Sequence, residues 1–190
     1  MGAPFAVAIL EELVKRGIRE FILVSIAGGL GDSFQVGDYI LPTTAISDEG
    51  TSANYLQDTG STSHAMPAQP SQNILNQFIL SAKIEPNSAF GIHRTTIAST
   101  DAPYREIPEK IYNLMRRGAR TIDMEYSALL SAANFHKVSL QAVFAVSDVA
   151  AESGFASRKL KQALTQISSA VIDFCRDSVF ENENTPLHRP

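Results

Sequence analysis

The sequence predicts an α/β fold, a largely parallel sheet flanked by helices. Three observations predict it. Segments with helical spacing of apolar residues alternate at least four times with short apolar runs of strand length. The first such run, Phe21 to Ala27, is continuous rather than alternating and ends in Gly28-Gly29, the pattern of a strand covered on both faces. Finally, 190 residues at 44% apolar composition suffice for one well-filled core but not for two. A single domain is expected over residues 1–180, with a polar tail at 181–190.

Taken in order, Ala6 to Gly17 carries apolar residues at 6, 9, 10, 13 and 14, the face of an amphipathic helix. Pro4 suits its first turn and Gly17 its end. Glu11 and Glu12 precede Lys15 and Arg16 by four residues, which adds weak surface pairs. After the strand at 21–27, Asp38 to Ile46 is a second strand. The stretch from Ser47 to Gln72 is polar and without period, and reads as a long functional or partly disordered loop. Helical spacing returns from Ser71 to Ala82, with Ile74, Leu75, Phe78 and Ile79 apolar and Ser71 as N-cap. Phe90 to Ser99 is a strand, Ile107 to Arg117 a helix, Ala119 to Met124 a short strand and Tyr126 to Phe135 a helix. Val138 to Val146 is β-like, and Ser157 to Phe174 is a long helix with apolar residues at 160, 164, 167, 171 and 174. The acidic end from Glu181 to Pro190 reads as frayed.

Composition excludes several classes. Sixteen Lys and Arg against twenty Asp and Glu give a net charge of −4, without the basic excess that phosphate-backbone binding requires, so no nucleic-acid partner is expected. No apolar run approaches the roughly 20 residues that span a bilayer, and no secretory leader is legible, so no membrane partner and a cytoplasmic location are expected. One cysteine, Cys175, rules out an internal disulfide, and His64, His93, His136 and His188 never reach the spacing of a metal pair. No metal is expected.

Ligands of such sheets sit beyond the carboxyl ends of the strands, so the residues that follow each run are the candidates. They are Gly28-Gly29-Leu30-Gly31, Thr100 to Glu106, Asp123-Met124-Glu125 and Ser147-Asp148. Each has a plain structural reading too. The glycines form a tight turn, Met124 is core, Glu125 is a helix-start carboxylate and Asp148 an N-cap. From the residues alone both readings stay open.

Their joint order narrows the choice. Gly2-Ala3-Pro4 enters a helix with Glu11-Glu12-Leu13; Ala27-Gly28-Gly29-Leu30 is followed by Val36-Gly37-Asp38, then Glu49-Gly50-Thr51-Ser52 with Tyr55. Thr100-Asp101-Ala102-Pro103-Tyr104-Arg105-Glu106, Asp123-Met124-Glu125 with Ala128-Leu129, and Val146-Ser147-Asp148 complete the series. From residue 2 to about 175 the chain resembles the nucleoside phosphorylase and nucleosidase superfamily, and its Thr100–Glu106 segment looks most like the uridine-phosphorylase-like branch. The resemblance implies a three-layer α/β fold around a mixed, distorted sheet and a ribonucleoside site at the strand ends. It implies attack by phosphate or water on the anomeric carbon, with no cofactor beyond phosphate as co-substrate. An oxocarbenium-like transition state needs the ribose hydroxyls held and the leaving base supplied with a proton. Carried over residue by residue, Glu125 would accept the ribose 2′ and 3′ hydroxyls and Met124 would pack on the sugar. Asp148 would protonate the base, Pro103 and Tyr104 would stand on the base side, and Gly28 and Gly29 would let backbone approach the ligand.

Departures from the family pattern bear on the nucleophile. Phosphorylases of the family carry an arginine and then a Thr or Ser three residues later, at positions that fall on Leu23 and Ile26 here, so phosphate lacks those charge-assisted donors. The uridine-reading Gln and Arg fall on Ile107 and Glu109, which argues against uracil recognition of that form. The family's initial phosphate-binding strands would precede Gly2, so the chain reads as N-terminally truncated, and an exposed sheet edge is expected to be covered by self-association into a dimer or hexamer. The expected activity is that of a nucleoside phosphorylase, a pentosyltransferase by descent. The alternatives are a nucleosidase using water, which Leu23 and Val146 to Ala150 favour, and a catalytically weak nucleoside-binding homologue.

Overall fold

The computed structural model describes residues 2–56, 65–81, 90–149 and 158–183. Its elements run α1 (Ala3–Lys15), β1 (Glu20–Gly29), β2 (Tyr39–Asp48), α2 (Ala53–Leu56), β3 (Ala65–Pro67), α3 (Gln72–Ser81), β4 (Ile92–Thr100) and a 3-10 turn (Pro103–Arg105). They continue through α4 (Pro108–Arg116), β5 (Thr121–Asp123), α5 (Tyr126–His136), β6 (Ser139–Val149) and α6 (Arg158–Glu183). Every helix and strand expected from the residues is present. The segment from Ser47 to Gln72 is not a plain loop, however, because it contains α2 and β3, and β3 pairs antiparallel with β2. Residues 57–64 of it lie outside the described residues, as does the tail from 184 onward. Helix α6 extends to Glu183, into the segment read as frayed.

The six strands lie in the order β3-β2-β4-β5-β1-β6. Pairings β1–β6, β2–β4 and β4–β5 are parallel, whereas β1–β5, β2–β3 and β2–β6 are antiparallel. The sheet is therefore mixed, as the resemblance implies, rather than largely parallel as the alternation of elements alone suggests. Two parallel groups, β2-β4-β5 and β1-β6, run in opposite directions and meet at β5 and β1. Strand β6 also returns to β2 at Tyr39↔Ala145 and Ile40↔Phe144, so the sheet curls until its far side closes on itself. Irregular register between Ala27 and Gly28 and between Pro42 and Thr44 provides the bends.

Helices cover both faces. On one, Val7 and Leu10 of α1 and Leu130 of α5 pack on Ile40 and Phe144. On the other, Leu75 and Ile79 of α3 and Ile167 of α6 pack on Tyr39 and Val143. Leu114 of α4 joins Ile46, Ala98 and Ile122 in a smaller cluster. Residues 126–133 of α5 are all buried, which their small Ala and Ser side chains permit between α1 and the sheet. Glu12 pairs with Lys15 and Arg16, whereas Glu11 feels the Lys15 charge its spacing suggested only as the weakest of the influences that lower its pKa. Its Oε1 is instead 3.0 Å from both the Tyr55 hydroxyl and His136 Nε2, which ties α1 to α2 and α5.

Two edges of the sheet are handled differently. Gln69 and Gln72 turn their amides onto β6: Gln72 Oε1 accepts the Ala142 N–H and its Nε2 donates to the Ala142 carbonyl, while Gln69 does the same for Leu140 N–H and the Val138 carbonyl. These side chains stand in for a neighbouring strand. Ser71 is not the N-cap expected for α3, since its buried hydroxyl makes no hydrogen bond. Strand β1 has no such cover. It pairs with β5 only at Gly28 and Gly29, so along 20–27 its single partner among the described residues is β6. Residues 21–26 are accordingly half-buried along the open edge, while both faces are covered as their continuous apolar run suggested, Phe21 and Leu23 on the α1–α5 side and Ile22, Val24 and Ile26 on the α3–α6 side.

Candidate active site

The junction of the two strand groups places the chemistry-bearing residues. Gly28 sits between Ile122 of β5 and Asp148 of β6 in the sheet. A Cβ built on Gly28 would lie 3.2 Å from Ile122 Cγ2 and 3.4 Å from Asp148 Oδ2, and one on Gly29 would lie 3.0 Å from both Phe34 Cβ and Val149 Cγ1. The tight turn of the plain reading falls at Gly31, whose φ is 86°, whereas positive φ is absent at Gly28 and Gly29. They are strand residues whose missing side chains make room for Asp148, Phe34 and Val149. Asp148 is inside β6, and so is not an N-cap; it accepts a 2.5 Å hydrogen bond from the Ser147 hydroxyl at Oδ1.

Glu125 is the N-cap residue of α5, at the helix start where the plain reading places it, yet its carboxylate makes no side-chain cap bond. Its Oε1 accepts the N–H of Gly2 at 2.6 Å, at the start of α1. The capping is done two residues earlier. Asp123 Oδ2 accepts the N–H groups of Glu125 (3.1 Å) and Tyr126 (2.8 Å), and its Oδ1 takes a 2.5 Å bond from the Ser99 hydroxyl. Burial pushes the Asp123 carboxyl up to about 7, against the lowering effect of those three donors. Met124, between the two carboxylates, is half-buried rather than core.

A second buried carboxylate lies beside this turn. Glu49, in the loop after β2, accepts bonds from the hydroxyls of Ser47, Ser52 and Ser127 and from the N–H groups of Thr51 and Ser52. Burial alone would raise its pKa, but the donors outweigh it and hold it below the usual carboxylate range. Glu49 and Asp123 belong to segments that mark the resemblance, yet sequence reasoning gave neither a role. No local spacing signals that two carboxylates 74 positions apart share one serine-lined network.

The 3-10 turn after β4 carries Pro103 and Tyr104. Tyr104 is 100% exposed, so its ring lines no pocket wall in the single chain. Glu106, which follows the turn, is half-buried, and burial followed by the negative charge of Asp148 raises its pKa. That proximity makes Glu106 a further acidic group on the Asp148 side, one that the motif contained but residue type alone did not single out. Lys110 of α4 is 2.7 Å from both Asp48 Oδ2 and Thr100 Oγ1. It opens on a 280 Å³ cavity lined also by Ile107, Asn113, Leu114 and Arg117, to which neither Asp148 nor Glu125 contributes. Among the described residues no cluster of His, Cys, Asp and Glu is arranged to hold a metal, and no helix is long and apolar enough to cross a membrane.

Against this geometry the comparisons with known proteins agree with one another. A family model described as the phosphorylase superfamily matches residues 1–176. The guanosine phosphorylase of Halorubrum lacusprofundi is 29% identical over 133 residues, which cover 70% of this chain and 52% of that protein. The chain thus spans about half the length of this relative. Among solved structures, AMP nucleosidase from Bacteroides thetaiotaomicron superposes with a TM-score of 0.64 at 24% identity, over 97% of this chain and 71% of its own. Futalosine hydrolase of Helicobacter pylori superposes with a TM-score of 0.69 at 16% identity, over 91% and 76%. At these identities the two structures establish the fold, a three-layer α/β arrangement shared by proteins named for different reactions.

Proposed function

Because the chain belongs to the phosphorylase superfamily, we propose that the junction of β1, β5 and β6 binds a ribonucleoside and cleaves its N-glycosidic bond. Asp148 is the acid that gives its proton to the leaving base, and Glu125 accepts hydrogen bonds from the ribose 2′ and 3′ hydroxyls. Met124 packs on the sugar, while Pro103 and the exposed ring of Tyr104 lie on the base side. As the bond to the base breaks, positive charge develops on the ribose ring, and a nucleophile attacks the anomeric carbon. The observation that carries this reading is the position of Gly28, flanked by Asp148 on one side and by Ile122, three residues before Glu125, on the other.

By descent the acceptor is phosphate. A specific observation favours water. Leu23 packs into the core on the α1–α5 face and Ile26 into the core on the α3–α6 face, so these two positions of β1 neither carry donors nor face the same side. Two missing charge-assisted bonds, at about 1.5–3 kcal/mol each, slow phosphorolysis by roughly two to four powers of ten if both act in the transition state. The test is base release from guanosine, adenosine and uridine by the isolated chain, with and without phosphate at neutral pH. Equal release in both, abolished by Glu125→Gln, is expected. Release that saturates with millimolar phosphate would overturn the preference for water and point to Arg105 or Arg94 as the anion donor. Nucleoside binding without release would leave a binding homologue.

A further inference from the structure

We propose that Asp123, buried beneath the Met124–Glu125 turn, is the positioning residue that fixes Glu125 for its ligand, with Ser99 and Glu49 as its supports. The role of Glu125 rests on the function proposed above; the geometry that fixes it does not. The N–H groups of Glu125, Tyr126 and Ser127 open α5, and a helix start must find partners for such groups outside itself. None is satisfied by the N-cap side chain. Asp123 takes the first two and the Ser99 hydroxyl takes the third at 2.8 Å. Ser99 lies on β4 and Asp123 on β5, opposite each other in register, so the turn is clamped to two adjacent strands.

The clamp has a second tier. Ser127 also donates its hydroxyl to Glu49 Oε1 at 2.8 Å, which joins the loop after β2 to the same helix start. The chain of bonds from Glu49 through Ser127 and Ser99 to Asp123 is buried throughout, so each link is strengthened by its surroundings and breaking one leaves an unpaired polar group. Because Asp123 does the capping, the Glu125 carboxylate is released from that task, and it bonds instead to the N–H of Gly2 across the turn. A glutamate that capped its own helix would fold its carboxylate back onto the backbone. The arrangement therefore separates the two jobs: Asp123 holds the backbone and Glu125 presents the side chain.

Asparagine at 123 can keep the same bonds. Its oxygen accepts both amides and its NH2 donates to Ser99 Oγ, so Asp123→Asn should keep wild-type protection of the amides at 125–127 and wild-type guanosine affinity, whereas Asp123→Ala should not. The first measurement is hydrogen exchange of the amides at 125–127 in the full chain. Asp123→Ala is expected to raise exchange at Glu125 and Tyr126 by about tenfold or more, with little change in the later turns of α5. Ser99→Ala, a milder change if the first variant fails to fold, should raise exchange chiefly at Ser127. The second measurement is guanosine affinity by calorimetry. Asp123→Ala should weaken it as Glu125→Gln does, and the double variant should be no weaker than Glu125→Gln alone, because one residue acts through the other. A contribution independent of Glu125 would instead add to the loss in the double variant. Unchanged exchange at 125 and 126 in Asp123→Ala, or additive losses of affinity, would overturn the assignment. If the wild-type chain binds no nucleoside, the proposed function falls, and the exchange data alone decide whether Asp123 fixes the turn.

Discussion

A carboxylate removed from water holds its proton more tightly, and Asp123 makes that a measurable property of the fold. Its carboxyl is pushed up to about 7 from 3.8. The native chain thus binds this proton more strongly than the unfolded chain, so the stabilisation is complete below the unfolded value and is lost as pH rises toward 7. Across roughly three pH units, at 1.36 kcal/mol each, the loss is about 4 kcal/mol. Asp123→Asn mimics the protonated group and has no proton to lose. Urea unfolding at pH 4, 5.5 and 8 should show the variant gaining on wild type by up to that amount toward high pH, and a gap that stays constant would show that Asp123 is ionised throughout. The acid role proposed for Asp148 is tested at the same scale. In Asp148→Asn the amide oxygen still accepts the Ser147 hydroxyl but the carboxyl proton is gone, so if the proposed role holds base release falls by about 10²–10⁴-fold with nucleoside affinity little changed. An equal fall in affinity would assign Asp148 to binding instead.

At the scale of elements, what was legible in the sequence follows from which signals are local. Helices α1, α3, α4 and α6 announce themselves by apolar spacing, and α5 by its run of small apolar residues, because each buries a face set by its own residues. Strand direction is not local. The antiparallel meeting of β1 and β5 depends on a three-residue strand, Thr121–Asp123, and no period exists in three residues. Likewise Glu49–Ser52 reads as a polar loop, although Glu49 and Ser52 are buried, because their partners are serines distant in sequence. The residues of the candidate site were legible only as members of an ordered set; the support beneath them was not, since Ser99 and Ser127 are serines like any other until the fold brings them to a carboxylate. Gln72 is a further case. It looks like an ordinary first helical residue, yet its amide completes both hydrogen bonds of Ala142 and is buried. Replacing it by alanine leaves a buried N–H and a buried carbonyl unpaired, at about 1–3 kcal/mol each. Gln72→Ala should lower the denaturation midpoint by a corresponding amount with unchanged slope, whereas loss of less than about 0.5 kcal/mol would mean that water replaces the amide.

For the whole molecule, the consequence of two oppositely directed strand groups is an asymmetry of edges. The β6 side is covered twice, by the glutamine amides and by its own return to β2. The β1 side is covered over only its last two residues, and its row of backbone groups from Glu20 to Ala27 faces no strand among the described residues. Phe21, Ile22, Leu23, Val24 and Ile26 on that strand are half-buried, so the edge combines unpaired backbone with apolar side chains. Such an edge pairs with another chain unless charge, proline or a bulge prevents it. From Phe21 to Ile26 there is neither charge nor proline, and the bulge falls only at Ala27 and Gly28, where pairing with β5 begins. Exposed Phe5, Ile9 and Leu13 add an apolar stripe on α1, the helix immediately before β1. A closed symmetric assembly satisfies both features at once, because a two-fold axis brings the same edge and stripe of two copies together. Light scattering at micromolar concentration should therefore give a mass of at least twice 20.6 kDa. Lysine at Val24, which places charge on the open edge, should shift the population toward the single chain. A wild-type mass of 20.6 kDa would show that this edge is tolerated in water, and an assembly unaffected by Val24→Lys would place the contact elsewhere.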